Sequence, residues 1–386
     1  MITSATGFVA AGVACGIKAS GEPDLALVAT DDGRPVAAAA VFTTNRAIAA
    51  PVEVSRAHLL STSGRAAAVV VNSGCANAAT GQPGRDDSET TCRLVAAALG
   101  CAPEEVLVCS TGLIGFRLPM DKVEVGIPPL VAELSAGGGP SAARAIMTTD
   151  TRPKEAVARA GPASVGGMAK GAAMLAPNMA TMLAVLTTDA VAEPEQLQSI
   201  LVDAVSGTFN TLLVDGATST NDTVVLLASG RAGIVDSGEL AGAVAEVCAD
   251  LAGQMAADAE GATKVAVVSV TGAASAHDAR RAARAVAGSQ LVQCSLHGGD
   301  PYWGRVVSEL GSSGAEFDPD RVSVSYGGVE VCSGGVAVAH DRDRVTEHLA
   351  GRYVSVAADL GLGDGEARVT TTDLGPGYIE ENMRTS

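Results

Sequence analysis

One threonine occupies a position from which it could act as a nucleophile. A loop of small residues, broken by Pro177, leads into an apolar segment that begins at Thr181. If the chain is cut between Ala180 and Thr181, the new α-amino group has a reference pKa of about 7.7–8.0 and is partly neutral at pH 7. Such an amine can accept the proton of its own threonine hydroxyl, which makes that oxygen a nucleophile without a histidine.

The same hydroxyl could also make the cut. Thr181 Oγ would attack the carbonyl carbon of Ala180, and water would hydrolyse the resulting ester to leave a free amine. The small side chain of Ala180 leaves this carbonyl approachable. Read alone, a threonine at the start of an apolar strand is also an ordinary strand-forming residue. The local sequence therefore leaves a catalytic and a structural interpretation open.

The motifs around this threonine resemble those of the ornithine acetyltransferase family, the glutamate N-acetyltransferases of arginine synthesis. The match at the threonine consists of Lys170-Gly171, Met174-Leu-Ala-Pro177, Met179-Ala-Thr-Met-Leu183 and Thr188-Asp-Ala190. The other matched motifs are Asn72-Ser-Gly-Cys-Ala-Asn77, Ser110-Thr-Gly-Leu-Ile-Gly115, Ala145-Ile-Met-Thr-Thr-Asp150, Ser219-Thr-Asn-Asp-Thr223, Asp258-Ala-Glu-Gly261, Asp300-Pro-Tyr-Trp-Gly-Arg305 and Glu380-Glu-Asn382. Because they follow one another along essentially the whole chain, they favour the catalytic interpretation.

The resemblance implies a self-cleaving acyltransferase with an ornithine acetyltransferase-like fold of the N-terminal-nucleophile type. It implies two chains, 1–180 and 181–386, that stay together as one intertwined unit and assemble as two copies of each. N-acetylornithine would acetylate Thr181, ornithine would leave, and glutamate would take the acetyl group. This ping-pong cycle requires no cofactor and no metal. The resemblance leaves open whether acetyl-CoA is a second acetyl donor.

The resemblance also assigns roles to individual residues. Acyl transfer passes through a tetrahedral oxyanion, which needs waiting hydrogen-bond donors, and the family places these donors at Thr111 and Gly112. Both substrates carry an α-carboxylate, for which Lys170 is the matched cation. The full set of implied substrate-binding residues is Thr148, Thr149, Lys170, Thr181, Glu260, Asn382 and Ser386.

Some positions depart from the pattern that is usual in the family. Ala173, Ala217 and Tyr302 replace a glycine, an acidic residue and an asparagine, and the tail after Asn382 is one residue shorter. None of these departures removes a predicted catalytic group. They bear instead on substrate preference and on the contacts of the tail.

Two other functions are compatible with the residues. A self-cleaving amidase or aminopeptidase of the same fold would use water, in place of an amino acid, to resolve the acyl-enzyme. A non-enzymatic small-molecule binder would leave Thr181 as a strand residue. Metal and nucleotide sites are not indicated, because the five histidines lack ligand spacing and Gly137-Gly-Gly139 lacks the lysine of a phosphate loop.

Composition restricts the class of protein. Apolar residues make up 47% of the 386 residues but aromatic residues only 3%, so the core must consist mainly of Ala, Val and Leu. The net charge of −17, with scattered Lys and Arg, argues against nucleic-acid binding. The sequence has no basic leader and no apolar run of about 18 residues, and its eight cysteines are predicted to be buried apolar side chains. A cytoplasmic protein without a membrane partner is expected.

Short apolar runs alternate with longer segments of helical periodicity, which is typical of an α/β fold with mixed β-sheets layered with helices. The hairpin signal at Gly327-Gly328 is especially clear. A turn is expected at 110–112 and a flexible loop at Ser135 to Ser141. The predicted strands cover 66–71, 106–109, 265–270, 322–326 and 329–331, and the predicted helices cover 88–99, 194–205 and 239–257.

Overall fold

The computed structural model describes residues 1–173 and 182–383, which form an α/β protein with mixed sheets. Its strands, in chain order, are β1 (Phe8–Val13), β2 (Leu25–Thr30), β3 (Val36–Phe42), β4 (Arg65–Ala66), β5 (Ala68–Cys75), β6 (Val106–Leu113), β7 (Lys154–Ala160), β8 (Ala163–Lys170), β9 (Leu183–Ala190), β10 (Leu212–Leu213), β11 (Thr223–Gly233), β12 (Val265–Ala273), β13 (Ser323–Tyr326), β14 (Val329–Ser333), β15 (Val336–Ala337), β16 (Tyr353–Asp359) and β17 (Gly365–Thr372). The predicted fold class is confirmed.

The described helices lie between these strands. They are α1 (Ala50–Ser61), α2 (Gly81–Leu99), α3 (Met120–Ala132), α4 (Gly139–Ala145), α5 (Pro194–Gly207), α6 (Ser237–Ala257), α7 (Ala276–Gly288), α8 (Gln290–Gly298), α9 (Trp303–Ser312), α10 (Arg342–Ala350) and α11 (Pro376–Asn382). Chain contacts divide the protein into two compact units. Unit 1 comprises Met1–Asn210 and Ala217–Met255, and unit 2 comprises Thr211–Gly216 and Ala256–Ser386.

Unit 1 contains two sheets that share one core. The four-stranded sheet has the order β1-β2-β5-β6, and the six-stranded sheet has the order β4-β3-β11-β9-β8-β7. Buried side chains of both sheets, such as Val28 and Val71 on one and Val185 and Val225 on the other, form a single cluster between them. The opposite face of the four-stranded sheet is covered by α1, α2 and α3 through a second cluster. Small apolar side chains therefore let the layers approach closely, as the composition predicts.

Helix α6 packs against strand β8 of unit 1. A Cβ built on Gly167 would lie 2.8 Å from Val247 and 3.0 Å from Leu251, so glycine leaves the room that the helix needs. Helix α6 is also the one described helix whose length and apolar composition would suffice to cross a bilayer. Core helices share these properties, and 50% of its most apolar window is buried inside the protein.

Strands β8 and β9 are adjacent and antiparallel, with Lys170 opposite Leu183 and Val165 opposite Thr188. Strand β11 pairs with β9 in parallel and with β3 in antiparallel. The six-stranded sheet therefore contains strands from both sides of the predicted cleavage position.

Unit 2 is built on one seven-stranded sheet in the order β10-β17-β12-β16-β13-β14-β15. Helices α7, α8, α9 and α10 contribute buried side chains to a core on one face of this sheet. Buried residues alternate with more exposed ones along β16, as expected for a sheet with one covered face. The predicted hairpin is confirmed, because β13 and β14 pair in antiparallel around Gly327 and Gly328.

Several predicted boundaries are wrong. Helix α2 begins at Gly81, not at the predicted residue 88. The prediction missed its first two turns because they are polar, contain Pro83 and Gly84, and show no apolar face. The predicted loop from Ser135 is partly helical, since Pro140 occupies the first turn of α4, a position that tolerates proline. The cysteines are not all buried either, because Cys294 is exposed.

Candidate active site

Thr111 and Gly112, the predicted oxyanion donors, lie near the end of strand β6. The prediction of a turn at 110–112 is wrong, because the strand continues to Leu113. The parallel pairing of β6 with β5 persists this far, with Gly74 opposite Gly112. Thr111 is buried, whereas Gly112 is exposed, so its backbone can reach a ligand.

Only glycine suits the backbone at position 112. Its φ of 129° is one that residues with a side chain rarely adopt. A Cβ built on Gly112 would lie 2.3 Å from the carbonyl carbon of Gly74, far inside van der Waals contact. This close approach fixes β6 against β5 and with it the direction of the Gly112 N–H.

Polar side chains hold the end of this strand in place. Asn72 accepts a hydrogen bond from Ser110 Oγ at 2.5 Å and donates one to the carbonyl of Cys75 at 2.8 Å. Asn221, which lies just before β11, donates to the carbonyls of Ala76 and Ser110 at 2.7 and 2.9 Å. Because β6 and β11 belong to different sheets, Asn221 ties the end of one sheet to the other.

Lys170, the predicted cation for a substrate carboxylate, ends strand β8 and is 4% exposed. A buried carboxylate, Asp150, lies within its electrostatic reach. Burial acts to raise the pKa of Asp150, but the charges of Lys170 and Lys154 outweigh it and lower the pKa to about 2. Lys154 Nζ donates to Asp150 Oδ1 at 2.5 Å, and both side chains are fully buried. Asp150 is therefore a charged partner inside the unit 1 core.

Asp150 also orders two backbone segments that carry predicted substrate-binding residues. Its Oδ1 accepts the Gly171 N–H at 2.8 Å, directly after Lys170, and its Oδ2 accepts the Thr148 N–H at 3.1 Å. Thr148 is half-buried and Thr149 is exposed, in the bend between α4 and β7. One carboxylate thus brings the Thr148 bend and the end of β8 together.

We expect Asp150→Asn to destabilise the protein by about 3–5 kcal/mol near neutral pH, because the buried Lys154 ammonium loses its charged partner. The folded-state pKa of Asp150, about 2, lies below the unfolded value of about 3.9. The stabilisation from this charge is therefore fully present above about pH 4 and is lost as the pH falls toward 2.

Urea unfolding of the wild type and Asp150→Asn at a series of pH values measures this contribution. The difference in unfolding free energy should shrink below about pH 4. Asp86→Asn, at an exposed position on α2, is the matched control and should change the free energy by less than about 0.5 kcal/mol. A deficit for Asp150→Asn that stays constant down to about pH 2 would show that its charge is not the stabilising element.

Lys18 is a cation beside this region that the sequence analysis does not assign. Its side chain packs on Gly74, the partner of Gly112, since a Cβ on Gly74 would lie 3.1 Å from Lys18 Cγ. Its backbone N–H donates to the buried Asp24 at 2.9 Å. Burial lowers the pKa of Lys18, Asp24 opposes that change, and the charge of Lys170 adds to it. No motif marks Lys18, because only chain folding brings it to Gly74.

Asp222 is a second buried carboxyl group that the sequence analysis does not assign. It directly precedes β11, its side chain is fully buried, and its Oδ1 accepts the Met182 N–H at 2.9 Å. Burial raises the pKa of Asp222 well above its usual range, against the Met182 N–H, the Ser219 hydroxyl and the charge of Lys170. The residue that follows the predicted nucleophile is therefore held by an acidic side chain.

A short repeated tripeptide carries a signal for such carboxylates. Thr-Thr-Asp occurs three times, and its aspartates are all buried acceptors of backbone N–H groups. Asp150 accepts two such groups, as does Asp189 in unit 1, and Asp373 does the same in unit 2. As a sequence repeat the tripeptide is too short to predict a structural unit, but its recurrence does mark Asp150.

Glu260 and Asn382, two predicted substrate-binding residues, both lie in unit 2. Asn382 Nδ2 donates to Glu260 Oε2 at 2.8 Å. Asn382 ends helix α11, which begins at Pro376. The start of this helix packs closely on Gly261, where an added Cβ would lie 2.1 Å from the Tyr378 nitrogen. The tail is therefore helical as far as Asn382.

The remaining predicted site residues lie outside the described part of the chain. Ala180 and Thr181 fall within residues 174–181, and Ser386 falls within residues 384–386. Cleavage before Thr181, its role as nucleophile and the contact of Ser386 stay predictions.

Histidines occupy structural positions in the described residues. His58 is buried and contacts the carbonyl of Val106 at 2.8 Å, and His297 contacts Asp373 at 2.7 Å. Within residues 1–173 and 182–383, no group of three or more His, Cys, Asp or Glu side chains is arranged to hold a metal ion.

An exposed glycine amide and a neighbouring threonine hydroxyl could donate hydrogen bonds to an oxyanion, and a buried lysine lies in the same unit. This arrangement is compatible with an acyltransferase, and the comparison with known proteins shows that class. A profile of the ArgJ family matches residues 9–385. The chain belongs to the ArgJ family and is an enzyme of arginine biosynthesis.

Individual relatives match over the whole chain. The chain is 50% identical over 386 residues to the arginine biosynthesis bifunctional protein ArgJ of Thermobifida fusca, covering 100% of this chain and 99% of that one. It is 51% identical over 394 residues to the protein of the same name from Mycolicibacterium paratuberculosis, covering 100% and 96%. The solved structure of ornithine acetyltransferase from Mycobacterium tuberculosis, in complex with ornithine, is 48% identical, with a TM-score of 0.42 over 46% of this chain and 94% of that chain.

Proposed function

We propose that this protein cuts itself between Ala180 and Thr181 and then transfers acetyl groups from N2-acetylornithine to glutamate through an acetyl-Thr181 intermediate. Within the class of acyltransferases of arginine biosynthesis, this assigns one donor, one acceptor and one nucleophile. The family match and the local geometry on both sides of the predicted cut support it.

The observation that carries the proposal is the pairing of β8 with β9. The predicted cleavage position lies in the connection between Lys170 and Leu183, which are opposite each other in one sheet. A cut within this connection leaves both new ends anchored, because each adjoining strand is buried throughout and hydrogen-bonded on both edges. The two chains would therefore stay together after processing.

Processing and transfer use the same hydroxyl in this proposal. In processing, Thr181 Oγ attacks the Ala180 carbonyl carbon, the C–N bond breaks, and the nitrogen takes the hydroxyl proton. Water then hydrolyses the ester and leaves a carboxylate on Ala180 and a free amine on Thr181. In transfer, that amine takes the Oγ proton while Oγ attacks the acetyl carbon, and it returns the proton to the departing ornithine nitrogen.

The described residues supply the electrostatic part of this chemistry. The Gly112 N–H and the Thr111 hydroxyl are the proposed donors to the oxyanion, on a strand whose position is fixed by Gly74. Lys170 is the proposed partner of the substrate α-carboxylate, and Asp150 holds its strand end in place. Thr148, Thr149, Glu260 and Asn382 remain proposed substrate contacts.

Acetyl transfer by the purified protein tests the proposal. We expect N-acetylornithine to yield ornithine and N-acetylglutamate, at a rate that depends on glutamate. Acetate release that is indifferent to glutamate would favour the amidase alternative. One intact band of 38.3 kDa on a denaturing gel, in place of two fragments of similar size, would favour the simple binder.

Acetyl-CoA is a proposed second donor. The word bifunctional in the names of the relatives supports two activities, and an acetyl thioester can acylate the same hydroxyl, with CoA leaving as the thiol. Glutamate acetylation from acetyl-CoA alone measures this directly. We also propose an assembly of two copies of each chain and a cytoplasmic location, as the family resemblance implies.

We expect Lys170→Ala to be processed but to bind N-acetylornithine poorly, because the substrate carboxylate loses a charge-assisted hydrogen bond. Such a bond contributes about 1.5–3 kcal/mol, which corresponds to a rise in KM of about 10- to 150-fold. Steady-state kinetics with varied donor, corrected for the fraction of cleaved chain, measures the change.

The matched control is Lys122→Ala, since Lys122 is an exposed lysine on α3 whose ammonium donates to the Gly16 carbonyl. Its KM should equal that of the wild type. If the Lys170→Ala enzyme has an unchanged KM and a reduced kcat, Lys170 acts in the chemical step and not in substrate binding.

A further inference from the structure

Lys18 is a second lysine beside the proposed oxyanion donors. The stem of its side chain packs on Gly74, where an added Cβ would lie 3.1 Å from Lys18 Cγ. Gly74 is in turn the partner of Gly112 in the pairing of β5 with β6. The Lys18 side chain therefore lies against the same pair of strand ends that positions the Gly112 amide.

One buried carboxyl group holds the backbone on which Lys18 sits. Asp24 is fully buried, and its Oδ1 accepts the Cys15 N–H at 2.7 Å. Its Oδ2 accepts the N–H groups of Gly16 and Lys18 at 3.0 and 2.9 Å. The Asp24 carbonyl also accepts the Ser73 N–H at 2.9 Å, which joins this loop to strand β5. These contacts present Lys18 at a defined position.

The ammonium group of Lys18 keeps hydrogen-bonding capacity for a ligand. The side chain is half-buried, so water still reaches it from one side. A lysine ammonium has three N–H donors. Within residues 1–173 and 182–383, the Lys18 ammonium makes a single hydrogen bond, to the Pro23 carbonyl at 2.7 Å. The remaining donors can bind an anion.

Two lysine side chains share this part of unit 1. Burial lowers the pKa of Lys18 most, Asp24 opposes that change, and the charges of Lys170 and Asp150 act on it in opposite directions. Lys18 and Lys170 therefore lie within electrostatic reach of each other. Like charges at short range repel each other, and an anion bound beside them relieves that repulsion. A ligand with two carboxylates suits such a pair of cations.

We propose that Lys18 binds the γ-carboxylate of the acceptor glutamate and thereby determines the preference of the enzyme for a dicarboxylic amino acid. The inference rests on the proposed function, in which Lys170 binds the α-carboxylate that both substrates carry. A carboxylate that leaves water needs a charged or hydrogen-bonding partner. The γ-carboxylate therefore requires a second cation, and Lys18 supplies it.

Only one of the two half-reactions uses this contact. The side chain of N-acetylornithine ends in an ammonium, which a lysine does not attract, whereas the side chain of glutamate ends in a carboxylate. Lys18 should therefore matter for the transfer of acetyl to glutamate and not for the acetylation of the enzyme. Discrimination between ligands is a difference between two such affinities.

Lys18→Met tests the proposal, because methionine keeps an apolar stem on Gly74 and removes the charge. We expect kcat/KM for glutamate to fall about 10- to 150-fold, the effect of losing one charge-assisted hydrogen bond. We expect kcat/KM for N-acetylornithine to stay within about twofold of the wild type. Initial rates with each substrate varied in turn, corrected for the cleaved fraction, give both values.

The two values separate substrate binding from a structural role. In a ping-pong cycle, kcat/KM for each substrate reports only the half-reaction of that substrate. If the loss of Lys18 merely displaced the Gly112 amide, both values would fall together, because both half-reactions pass through an oxyanion. An equal loss in both values would overturn the inference.

Glutamine is a second probe, because it replaces the γ-carboxylate by a neutral amide of the same shape. The wild type should prefer glutamate to glutamine by about 10-fold or more, and Lys18→Met should lose most of this preference. A wild type that uses both acceptors equally, or a Lys18→Met enzyme that keeps the wild-type preference, would contradict the proposal.

Lys122→Met is the matched control, since Lys122 is an exposed lysine whose ammonium donates to the Gly16 carbonyl of the same loop. It should keep both kcat/KM values and the preference for glutamate. A control that loses that preference as Lys18→Met does would show that the loop, and not the Lys18 charge, is responsible.

If Lys18→Met is not cut, Lys18→Arg decides, because it keeps a cation on a stem of similar length. We expect Lys18→Arg to be cut and to prefer glutamate to glutamine, and an uncut or indifferent enzyme would overturn the inference. Failure of the proposed function is distinguishable, since the wild type would then form no N-acetylglutamate from N-acetylornithine.

Discussion

The Thr181→Ala protein should remain a single chain and should transfer no acetyl groups. Its methyl side chain has no oxygen to attack the Ala180 carbonyl, so neither the ester nor the free amine can form. Removing the nucleophile of an acyl-transfer enzyme lowers kcat by about 10⁶-fold. This is the largest effect we expect, because one substitution removes both the nucleophile and its internal base.

Thr181→Ser is the matched control for this experiment, because it keeps the hydroxyl and removes only a methyl group. It should be cut and should retain measurable transfer. A denaturing gel and N-terminal sequencing follow the cut, and N-acetylglutamate formation follows the transfer. A Thr181→Ala protein that begins at residue 181, or that turns over normally, would refute the mechanism.

Strands and helices with a strong local signal are predictable from this sequence. The pair β13 and β14 is confirmed because Gly327 and Gly328 supply the positive φ angles, 58° and 77°, that a two-residue hairpin loop requires. Helix α5 begins where Pro194 predicts. In both cases residues near in sequence determine the conformation.

The end of β6 shows where local reasoning fails. Ser110, Thr111 and Gly112 have the composition of a turn, yet pairing with β5 keeps them extended. The glycine has a positive φ, as the local sequence suggests, but a neighbouring strand decides that it lies in a sheet. Tertiary pairing of this kind leaves no mark within a short window of sequence.

The residues of the candidate site also fall into two groups, those that sequence motifs identify and those that only the fold identifies. Thr111, Gly112 and Lys170 could be named from the family motifs, and the structure places all three at strand ends of unit 1. The roles of Asp150 and Asp222 are not stated by any motif, because they depend on partners such as Gly171 and Met182 that are distant in sequence. Only the repeated Thr-Thr-Asp hints at Asp150. Buried carboxylates are identified by what they contact, and contacts follow only from the fold.

Gly112→Ala should abolish most activity by moving a hydrogen-bond donor. The new Cβ would lie 2.3 Å from the Gly74 carbonyl carbon, so the strand end must shift, and a φ of 129° is unfavourable for alanine. Misplacing one oxyanion donor lowers kcat by about 10²- to 10³-fold. Acetyl transfer, corrected for the cleaved fraction, measures the loss.

Gly100→Ala separates backbone strain from this steric effect. Gly100 also has a positive φ, 78°, at the end of α2, but a Cβ there would meet no atom within 4 Å. It should cost about 1–2 kcal/mol of stability and leave kcat unchanged. If Gly112→Ala and Gly100→Ala lose stability alike and both keep full activity, the Gly112 amide is not an oxyanion donor. A selective loss of kcat in Gly112→Ala instead ties transfer to the position of the Gly112 amide at the end of β6, which the close packing on Gly74 fixes.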